Sequence, residues 1–344
     1  MRGAVLRAGA KHFEVGEIER PVAGPGEVLV AVAGCGFCHT DLHYLDHGTP
    51  TAKPPPVVLG HEISGRVAEV GPGVDPGRVG DRVLVPAVLP CGRCALCGAG
   101  RGNICAQMRM LGNHIDGGFA EFVRVPSEWL VALPAEIDLV RGAVIADALS
   151  TPYHAVVHRA AVRAGEWVAV IGCGGVGMNV VQFARLAGAH VLAVDLSEEK
   201  LAIARQLGAE ETVNPASAPE AAKAIRARVP GGGVDVAIEA VGSPATVALA
   251  FGALRRGGRV CLVGYSDRSA ELPLAKVMFL EYTVVGSLGC RPADYPGIVE
   301  LVRRGRVRID PIVTGVLPLD RIEEAADRLR RGEGLRTVVT PGPT

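Results

Sequence analysis

The most informative feature of the sequence is a run of four cysteines, CGRCALCGAGRGNIC, at positions Cys91, Cys94, Cys97 and Cys105. The four thiols fall within fifteen residues, and the two-residue gaps let a tight turn point successive sulfurs at one centre. Zinc binds four thiolates in tetrahedral geometry, with Zn–S distances of about 2.3 Å. The spacing therefore predicts a closed structural zinc site. A reactive redox cluster is the alternative, because CxxC pairs also occur in thiol oxidoreductases.

A second group of metal-ligand residue types lies in two segments nearer the N-terminus. Residues 38–43 read CHTDLH, and residues 60–62 read GHE. A thiolate from Cys38 and an imidazole from His61 could provide half of a zinc site. Two ligands do not make a catalytic metal site, and a single histidine is more often a satisfied surface or core residue. The residues alone leave this point open.

A glycine-rich turn follows the apolar run 168–171 and precedes a helix-forming stretch. It reads GCGGVG, in which Gly172 allows the tight turn, Gly174 lets the backbone approach a pyrophosphate, and Gly177 lets the helix pack on the strand. Asp195 lies 18 residues after Gly177, at the end of the next predicted strand. A carboxylate there binds the ribose hydroxyls and repels a 2′-phosphate. The pattern predicts NAD in preference to NADP; a Rossmann-like domain with an empty site is the alternative.

Length and composition set the outer limits of the interpretation. A chain of 344 residues is long for one hydrophobic core, so two domains are expected. Lys plus Arg and Asp plus Glu both number 36, and this zero net charge argues against nucleic acid or an anionic membrane as a partner. The N-terminus has no apolar signal core, and no stretch could span a bilayer. We therefore expect a cytoplasmic, reduced protein, which suits thiolate ligands.

The pattern of residue types along the sequence changes near residue 150. About 145 residues of short β-type runs, with glycine and proline between them, give way to alternating strand and helix patterns. This alternation predicts the α/β class with a parallel sheet covered by helices. The predicted strands are 27–32, 63–70, 82–85, 167–171, 190–195, 234–240, 259–263 and 337–340, and the predicted helices are 177–188, 197–207, 244–254, 295–304 and 321–330.

Taken together, the segments resemble the zinc-dependent medium-chain dehydrogenases, the alcohol dehydrogenase superfamily. The resemblance spans nearly the whole chain and implies a GroES-like catalytic domain, built from both chain ends, with a Rossmann domain between them. We expect the limits 1–148, 149–286 and 287–344, with a zinc lobe at about 88–110. Five motifs carry the resemblance: GCGFCHTDLH at 34–43, GHEISGRV at 60–67, the four-cysteine run, GCGGVG at 172–177 and GLRTVV at 334–339.

The resemblance implies a catalytic zinc bound by Cys38, His61 and Asp147. Many relatives have a cysteine as the third ligand, but Asp147 carries the same single charge and keeps the site neutral. An oxygen ligand would leave a harder zinc that is bound less tightly. Asp41 and Glu62 would orient His61, and either can approach the metal. The alternative is that Asp147 only caps a helix and this zinc has been lost.

The resemblance also implies roles in proton and hydride transfer. Thr40 would bond the substrate hydroxyl and pass its proton through the nicotinamide ribose to His43 at the surface. His39 and Arg336 would contact the pyrophosphate. The remaining residues implied to bind the cofactor are the turn residues Gly172, Gly174, Gly175, Val176 and Gly177, together with Asp195, Lys200, Thr151, Val263, Ser287 and Gly289.

The activity implied is oxidation of an alcohol to a ketone or aldehyde, with NAD⁺ as hydride acceptor and two zinc ions per chain. A homotetramer or dimer would form edge to edge near residues 261–267 and 281–287. The segments VPAVLPCGRC at 85–94 and MLGNHIDGGFA at 110–120 also resemble 6-hydroxycyclohex-1-ene-1-carbonyl-CoA dehydrogenases, which act on a hydroxyacyl-CoA. A non-catalytic, zinc-stabilised dinucleotide sensor is a further alternative, but it would not need Thr40 or His43.

Overall fold

The computed structural model describes residues 1–218 and 220–342. The strands are β1 Arg2–Leu6, β2 Phe13–Glu17, β3 Glu27–Phe37, β4 Val57–Val58, β5 Glu62–Val70, β6 Arg82–Val85, β7 Val88–Leu89, β8 Arg109–Met110, β9 Phe122–Pro126, β10 Val131–Ala132, β11 Trp167–Ile171, β12 His190–Val194, β13 Glu211–Val213, β14 Val234–Glu239, β15 Leu254–Leu262, β16 Thr283–Gly286, β17 Val313–Pro318 and β18 Arg336–Thr340.

The helices are α1 His39–Asp46, α2 Ala95–Gly98, α3 Ser150–Tyr153, α4 Gly175–Leu186, α5 Glu198–Gln206, α6 Ala221–Arg228, α7 Pro244–Ala253, α8 Leu274–Phe279, α9 Tyr295–Arg303 and α10 Ile322–Arg330. A 3₁₀ turn at Arg141–Ala146 and a π-helical turn at His154–Arg159 flank α3. No helix among the described residues is long and apolar enough to cross a membrane.

The chain forms two compact units, Thr151–Leu288 and the two flanking parts of the sequence. In the flanking unit a sheet runs in the order β10-β6-β5-β3-β18-β17, and β9 also pairs with β3. Strand β18, near the C-terminus, pairs antiparallel with β3, so both chain ends share this sheet. These are units of packing; the predicted domain limits, 1–148, 149–286 and 287–344, stay a prediction.

Apolar residues of β3 and its neighbours form the core of this unit. Eight of the eleven residues of β3 are buried, and the other three are partly buried. Phe37, the last residue of β3, stacks on Phe119 with ring centroids 5.4 Å apart, and Phe13 meets Phe119 edge-on at 5.9 Å. Phe37 directly precedes Cys38, so this aromatic cluster packs at the end of β3, next to the first candidate ligand residue.

The middle unit, Thr151–Leu288, is built on a six-stranded parallel sheet in the order β13-β12-β11-β14-β15-β16. Helices α4, α5, α6 and α7 each connect one strand to the next. After Trp167, all residues of β11 are buried, as expected for a central parallel strand. The strand order reverses between β11 and β14, and ligands bind at such switch points, outside the carboxyl ends of the strands.

Most predicted elements agree with the structure to within one or two residues at each end. Helix α4 begins at Gly175, not Gly177, and ends at Leu186, because Gly188 takes a left-handed conformation (φ +83) just past the end. Strand β15 begins at Leu254, five residues before the predicted start. A register irregularity near Val234 accommodates the early residues of β15, and the alternation pattern did not indicate it.

Candidate metal centres and dinucleotide site

Four metal-ligand side chains of the flanking unit converge on one point. Cys38 directly follows β3, His61 precedes β5, and Asp147 ends the 3₁₀ turn Arg141–Ala146. One ligand atom from each of Cys38, His61, Glu62 and Asp147 lies within 4.8 Å of the others. Asp147 Oδ2 is 3.7 Å from His61 Nε2 and 4.0 Å from Cys38 Sγ. Tetrahedral zinc would require about 3.4 and 3.6 Å, so the atoms fit zinc after shifts of a few tenths of an ångström.

Two glycines create the space for this cluster. Gly60, immediately before His61, has φ +92, and a Cβ there would lie 2.6 Å from Cys35 Sγ. Gly36 pairs with Glu62 across β3 and β5, and a Cβ on Gly36 would collide with the Glu62 carboxylate. The glycines in GCGFC and GHE are therefore required by the backbone turn and by the buried carboxylate.

Asp41 joins the two ligand segments. It is fully buried, and its Oδ2 accepts a hydrogen bond of 2.9 Å from the backbone N–H of Cys38. Its Oδ1 accepts one of 3.2 Å from the Gly60 N–H and lies 3.7 Å from His61 Nδ1. A carboxylate behind a histidine ligand fixes the orientation of the ring. The position of Asp41 is that of such a group.

The charges of the cluster suit a divalent cation. Burial would raise the pKa of the Cys38 thiol, but Arg336 and His61 lower it below its ordinary value. Burial would lower the pKa of His61, yet Asp147 and Cys38 raise it well above the ordinary range. Burial raises the pKa of Glu62 well above its usual value. Without metal, a positive imidazolium thus compensates the thiolate and the carboxylates. A divalent metal ion would supply this positive charge instead, and protons would be released as it binds.

Glu62 and Arg336 form a buried ion pair that the sequence does not indicate. Arg336 Nη2 lies 3.3 Å from Glu62 Oε1, and Arg336 Nη1 donates a 3.0 Å hydrogen bond to the Phe37 carbonyl. Neither Glu62 oxygen has a hydrogen bond to any described residue, and Arg336 is only 3% exposed. The Arg336 guanidinium therefore contacts Glu62 and the Phe37 carbonyl within its own unit. Its contact with a pyrophosphate stays a prediction.

Thr40 and His43 lie three residues apart on α1, next to the cluster. Thr40 Oγ1 is 3.8 Å from Cys38 Sγ, and residues three apart share one face of a helix. His43 Nδ1 is 3.0 Å from Nδ1 of the exposed His47, so one ring donates and the other accepts. The helix therefore carries a hydroxyl near the cluster and a pair of imidazoles toward solvent. Sequence reasoning missed His47, although its i, i+4 spacing from His43 was a usable signal.

The four-cysteine segment places its sulfurs at zinc-like distances. The Cys94–Cys97, Cys94–Cys105 and Cys91–Cys97 sulfur pairs are 3.5, 3.7 and 3.9 Å apart. Four sulfurs around zinc, each at about 2.3 Å, would be about 3.8 Å apart. The Arg93 backbone N–H lowers the pKa of Cys91 to about 6, while desolvation raises that of Cys97 to about 12. The convergence of four cysteine sulfurs at this spacing favours a metal site over a redox cluster.

The glycine turn of the middle unit is shaped for a phosphate. Gly172 has φ +89, and a Cβ on Gly177 would collide with the Gly172 carbonyl oxygen, so helix α4 starts tight against the strand. A Cβ on Gly174 would meet no atom of the described chain within 4 Å. The backbone at Gly174 is thus open to a ligand, and the amides that begin α4 face the same space.

Asp195 lies beside this turn, after β12. Its Oδ2 accepts a 2.7 Å hydrogen bond from the Cys173 N–H, and its Oδ1 accepts one of 2.9 Å from the Ser197 N–H. Val263 and Ser287 directly follow β15 and β16, so they share the carboxyl edge of the sheet with the turn. The Ser287 hydroxyl is buried and has no hydrogen bond among the described residues, as expected for a group that serves a ligand.

The other predicted cofactor residues are located as follows. Lys200 lies in the first turn of α5, where its backbone N–H donates a hydrogen bond to the side chain of the N-cap residue Ser197. Thr151 is buried in α3. His39 is an exposed residue at the start of α1, and Gly289 has φ +49. His39 and Gly289 belong to the flanking unit, whereas Lys200 and Thr151 belong to the middle unit. Their contacts with a cofactor stay predictions.

Comparisons with known proteins agree with this geometry. The profile of the alcohol dehydrogenase GroES-like domain matches residues 24–135, and that of the zinc-binding dehydrogenases matches residues 175–304. An alcohol dehydrogenase of Geobacillus stearothermophilus is 37% identical over 97% of both chains. The crystal structure of an NAD-dependent alcohol dehydrogenase matches with a TM-score of 0.92 and 33% identity, over 99% of this chain and 100% of that one. A zinc-binding dehydrogenase of Sinorhizobium meliloti bound to NADP has a TM-score of 0.89 and 34% identity, over 99% of both chains.

A GroES-like unit with clustered side chains that could hold a metal ion, together with a dinucleotide-type parallel sheet, is typical of a zinc-dependent dehydrogenase. The chain belongs to the alcohol dehydrogenase family of zinc-dependent medium-chain dehydrogenases. It is an oxidoreductase that depends on zinc and a nicotinamide dinucleotide. The predicted family, fold class and enzyme class are confirmed. The narrower 6-hydroxycyclohex-1-ene-1-carbonyl-CoA dehydrogenase stays a prediction.

Proposed function

We propose that the protein oxidises an alcohol to a ketone or aldehyde, reversibly, and delivers the hydride to NAD⁺. The observation that carries the proposal is the convergence of Cys38, His61, Glu62 and Asp147 at zinc-like spacing, in a chain of this family. A zinc ion held there would act as a Lewis acid that lowers the pKa of a bound alcohol, and NAD⁺ would accept the hydride.

The side chains of α1 would handle the proton of the alcohol. Thr40, whose hydroxyl oxygen lies 3.8 Å from the Cys38 sulfur, would bond a substrate hydroxyl and take part in its deprotonation. His43 shares the helix face with Thr40 and contacts the exposed His47, so it would hand the proton on toward solvent. Asp41 would keep His61 in its ligand orientation.

Two zinc ions per chain are part of the proposal. The first would be held by Cys38, His61 and Asp147, with Glu62 near enough to approach it. The second would be held by the four cysteines of the lobe and would have no open position for substrate. Because the lobe ligands are all protein thiolates, its role would be structural.

Turnover with a panel of primary, secondary and cyclic alcohols, followed by absorbance of the reduced cofactor, tests the function. We expect activity that is lost when zinc is chelated and restored when zinc is returned. Coenzyme A esters of cyclic hydroxy acids belong in the same panel, since strong preference for them would support the narrower prediction. Tight NAD⁺ binding without turnover of any alcohol or ester, in protein that holds two zinc ions, would support the sensor instead.

We also propose that the protein is a homo-oligomer, a dimer or tetramer. Strand β16 lies at the edge of the six-stranded sheet, and an exposed edge strand invites pairing. Helix α8, which precedes it, exposes Leu274, Met278 and Phe279 at 71, 64 and 73%. Light scattering should give a mass of two or four chains, and Phe279→Asp should lower it. A monomer at micromolar concentration would contradict this part of the proposal.

A further inference from the structure

Two hydroxyl groups hold the peptide group that directly precedes Asp147. The phenol oxygen of Tyr295, the first residue of α9, lies 2.9 Å from the Ala146 carbonyl oxygen. Ser150 Oγ lies 2.9 Å from the same carbonyl oxygen and 3.2 Å from the phenol oxygen. We propose that Tyr295 and Ser150 are positioning residues that set the metal affinity of the cluster by fixing the backbone that carries Asp147. This inference rests on the proposed ligand role of Asp147.

The two hydroxyl groups can hold the Ala146 carbonyl in a fixed position. A carbonyl oxygen has two lone pairs, and each hydroxyl has one proton to donate, so the Ala146 carbonyl can accept one hydrogen bond from each of them. Tyr295 is 2% exposed and Ser150 is fully buried, so water does not compete with these bonds. Burial holds the pKa of the Tyr295 phenol well above its usual range, so the phenol keeps its proton and donates.

The two hydroxyl groups contact the backbone at the point where regular helical structure ends. The 3₁₀ turn ends at Ala146, and Asp147 has φ −141 and ψ −54, outside the helical region. The carbonyl groups at the end of a helical turn lack helical partners and must find others. Tyr295 provides one from a helix 149 residues away in sequence, and thereby ties the Asp147 segment to α9.

A small movement of this segment would matter. Asp147 Oδ2 lies within a few tenths of an ångström of the distances from His61 and Cys38 that zinc requires. Functional geometries must be held to about 0.5 Å, and a site that is about 1 Å too loose fails. Groups that orient a ligand without touching the metal typically change metal affinity by about 10- to 100-fold when removed.

Tyr295→Phe tests the inference, because it removes the hydroxyl and keeps the buried ring. The holoenzyme is mixed with a chromogenic chelator, and the release of the two zinc ions is followed over time. We expect the cluster zinc to leave about 10-fold faster in Tyr295→Phe, and up to about 100-fold faster when Ser150→Ala is added, with release from the lobe unchanged. In cobalt-substituted protein the visible bands of the cluster metal should shift, a change that lower stability alone would not produce.

Two further variants make the outcome decisive. Tyr282→Phe is the matched control, since its hydroxyl lies 3.4 Å from the Leu254 carbonyl in the other unit, and we expect wild-type release. Asp147→Ala is the reference for loss of the ligand itself. If Asp147→Ala leaves release unchanged, the proposed ligand set fails and the inference fails with it. If Asp147→Ala accelerates release but the Tyr295 and Ser150 double variant does not, only the positioning role is wrong.

Discussion

We predict that Asp195 sets the choice between NAD⁺ and NADP⁺ and that the unmodified protein prefers NAD⁺. The carboxylate is held by the N–H groups of Cys173 and Ser197, at 2.7 and 2.9 Å, beside the glycine turn. These two hydrogen bonds fix the direction of the carboxylate. A relative at 34% identity is bound to NADP, and another at 33% identity is NAD-dependent, so the family fold accommodates either dinucleotide. We therefore expect the side chains after β12 to set the preference between NAD⁺ and NADP⁺.

The size of the preference follows from the charges. A 2′-phosphate carries about −1.5 to −2 charges at neutral pH. Two unit charges about 4 Å apart repel by about 1 kcal/mol in water and about 4 kcal/mol near a protein surface. For the half-exposed Asp195 we expect a penalty of about 2 to 4 kcal/mol, or roughly 30- to 1,000-fold in kcat/KM against NADP⁺. Asp195→Ala removes the charge and frees two N–H groups that can bind the phosphate, so most of the preference should disappear.

The assay compares kcat/KM for the two cofactors with one alcohol, in the unmodified protein, in Asp195→Ala and in Glu199→Ala. Glu199 is an exposed carboxylate in the first turn of α5, so Glu199→Ala makes the same charge change without touching the turn. We expect Glu199→Ala to keep the NAD⁺ preference. Equal kcat/KM for both cofactors in the unmodified protein would refute the reasoning. So would a loss of preference in Glu199→Ala as large as in Asp195→Ala, because the effect would then be one of general charge.

Three further predictions concern the metals and the proton path. Cys94→Ser should leave one zinc per chain and lower the melting temperature by roughly 5 °C or more, whereas Cys38→Ser should abolish turnover and leave the fold intact; near-normal activity in Cys38→Ser would contradict the ligand assignment. His43→Ala should slow alcohol oxidation at neutral pH by about 10- to 100-fold, with partial rescue by added imidazole and unchanged zinc content. Loss of zinc in that variant would instead make His43 a ligand. Asp147→Asn should weaken binding of the cluster zinc alone, and Asp147→Cys should bind that zinc more tightly than the unmodified protein does, as metal analysis would show.

In the middle unit, the strands and helices predicted from the sequence agree with the structure apart from the early start of β15, but β13, α6, α8 and β16 were not predicted. The predicted strand 167–171 coincides with β11, because a buried parallel strand is a continuous apolar run between turn residues. The glycine turn and Asp195 lie together as predicted, since a parallel strand order brings the carboxyl ends of β11 and β12 to one edge. Local pattern was sufficient for these elements because β11, α4 and β12 follow one another in sequence and the two strands are paired in the sheet.

The flanking unit was harder to predict because its contacts are not local. Two-residue strands such as β7 carry no periodic signal, and the pairing of β18 with β3 joins residues about 300 apart in the sequence. The GroES-like architecture came from the resemblance of motifs, not from periodicity. The clamp of Tyr295 on Ala146 was also invisible, since a tyrosine at the start of an amphipathic helix reads as an ordinary core residue.

The ion pair of Glu62 and Arg336 shows why the site needs both ends of the chain. Glu62 and Asp147 belong to the cluster, Asp41 lies next to it, and Asp41 and Glu62 are fully buried; buried carboxylates are costly unless positive charge compensates them. Arg336, in the last strand, supplies one such charge, and its bond to the Phe37 carbonyl ties it to the residue just before Cys38. A divalent cation bound by Cys38, His61 and Asp147 would supply the remainder. In the proposed metal site the C-terminal strand would therefore contribute through electrostatics, although none of its residues is a proposed ligand.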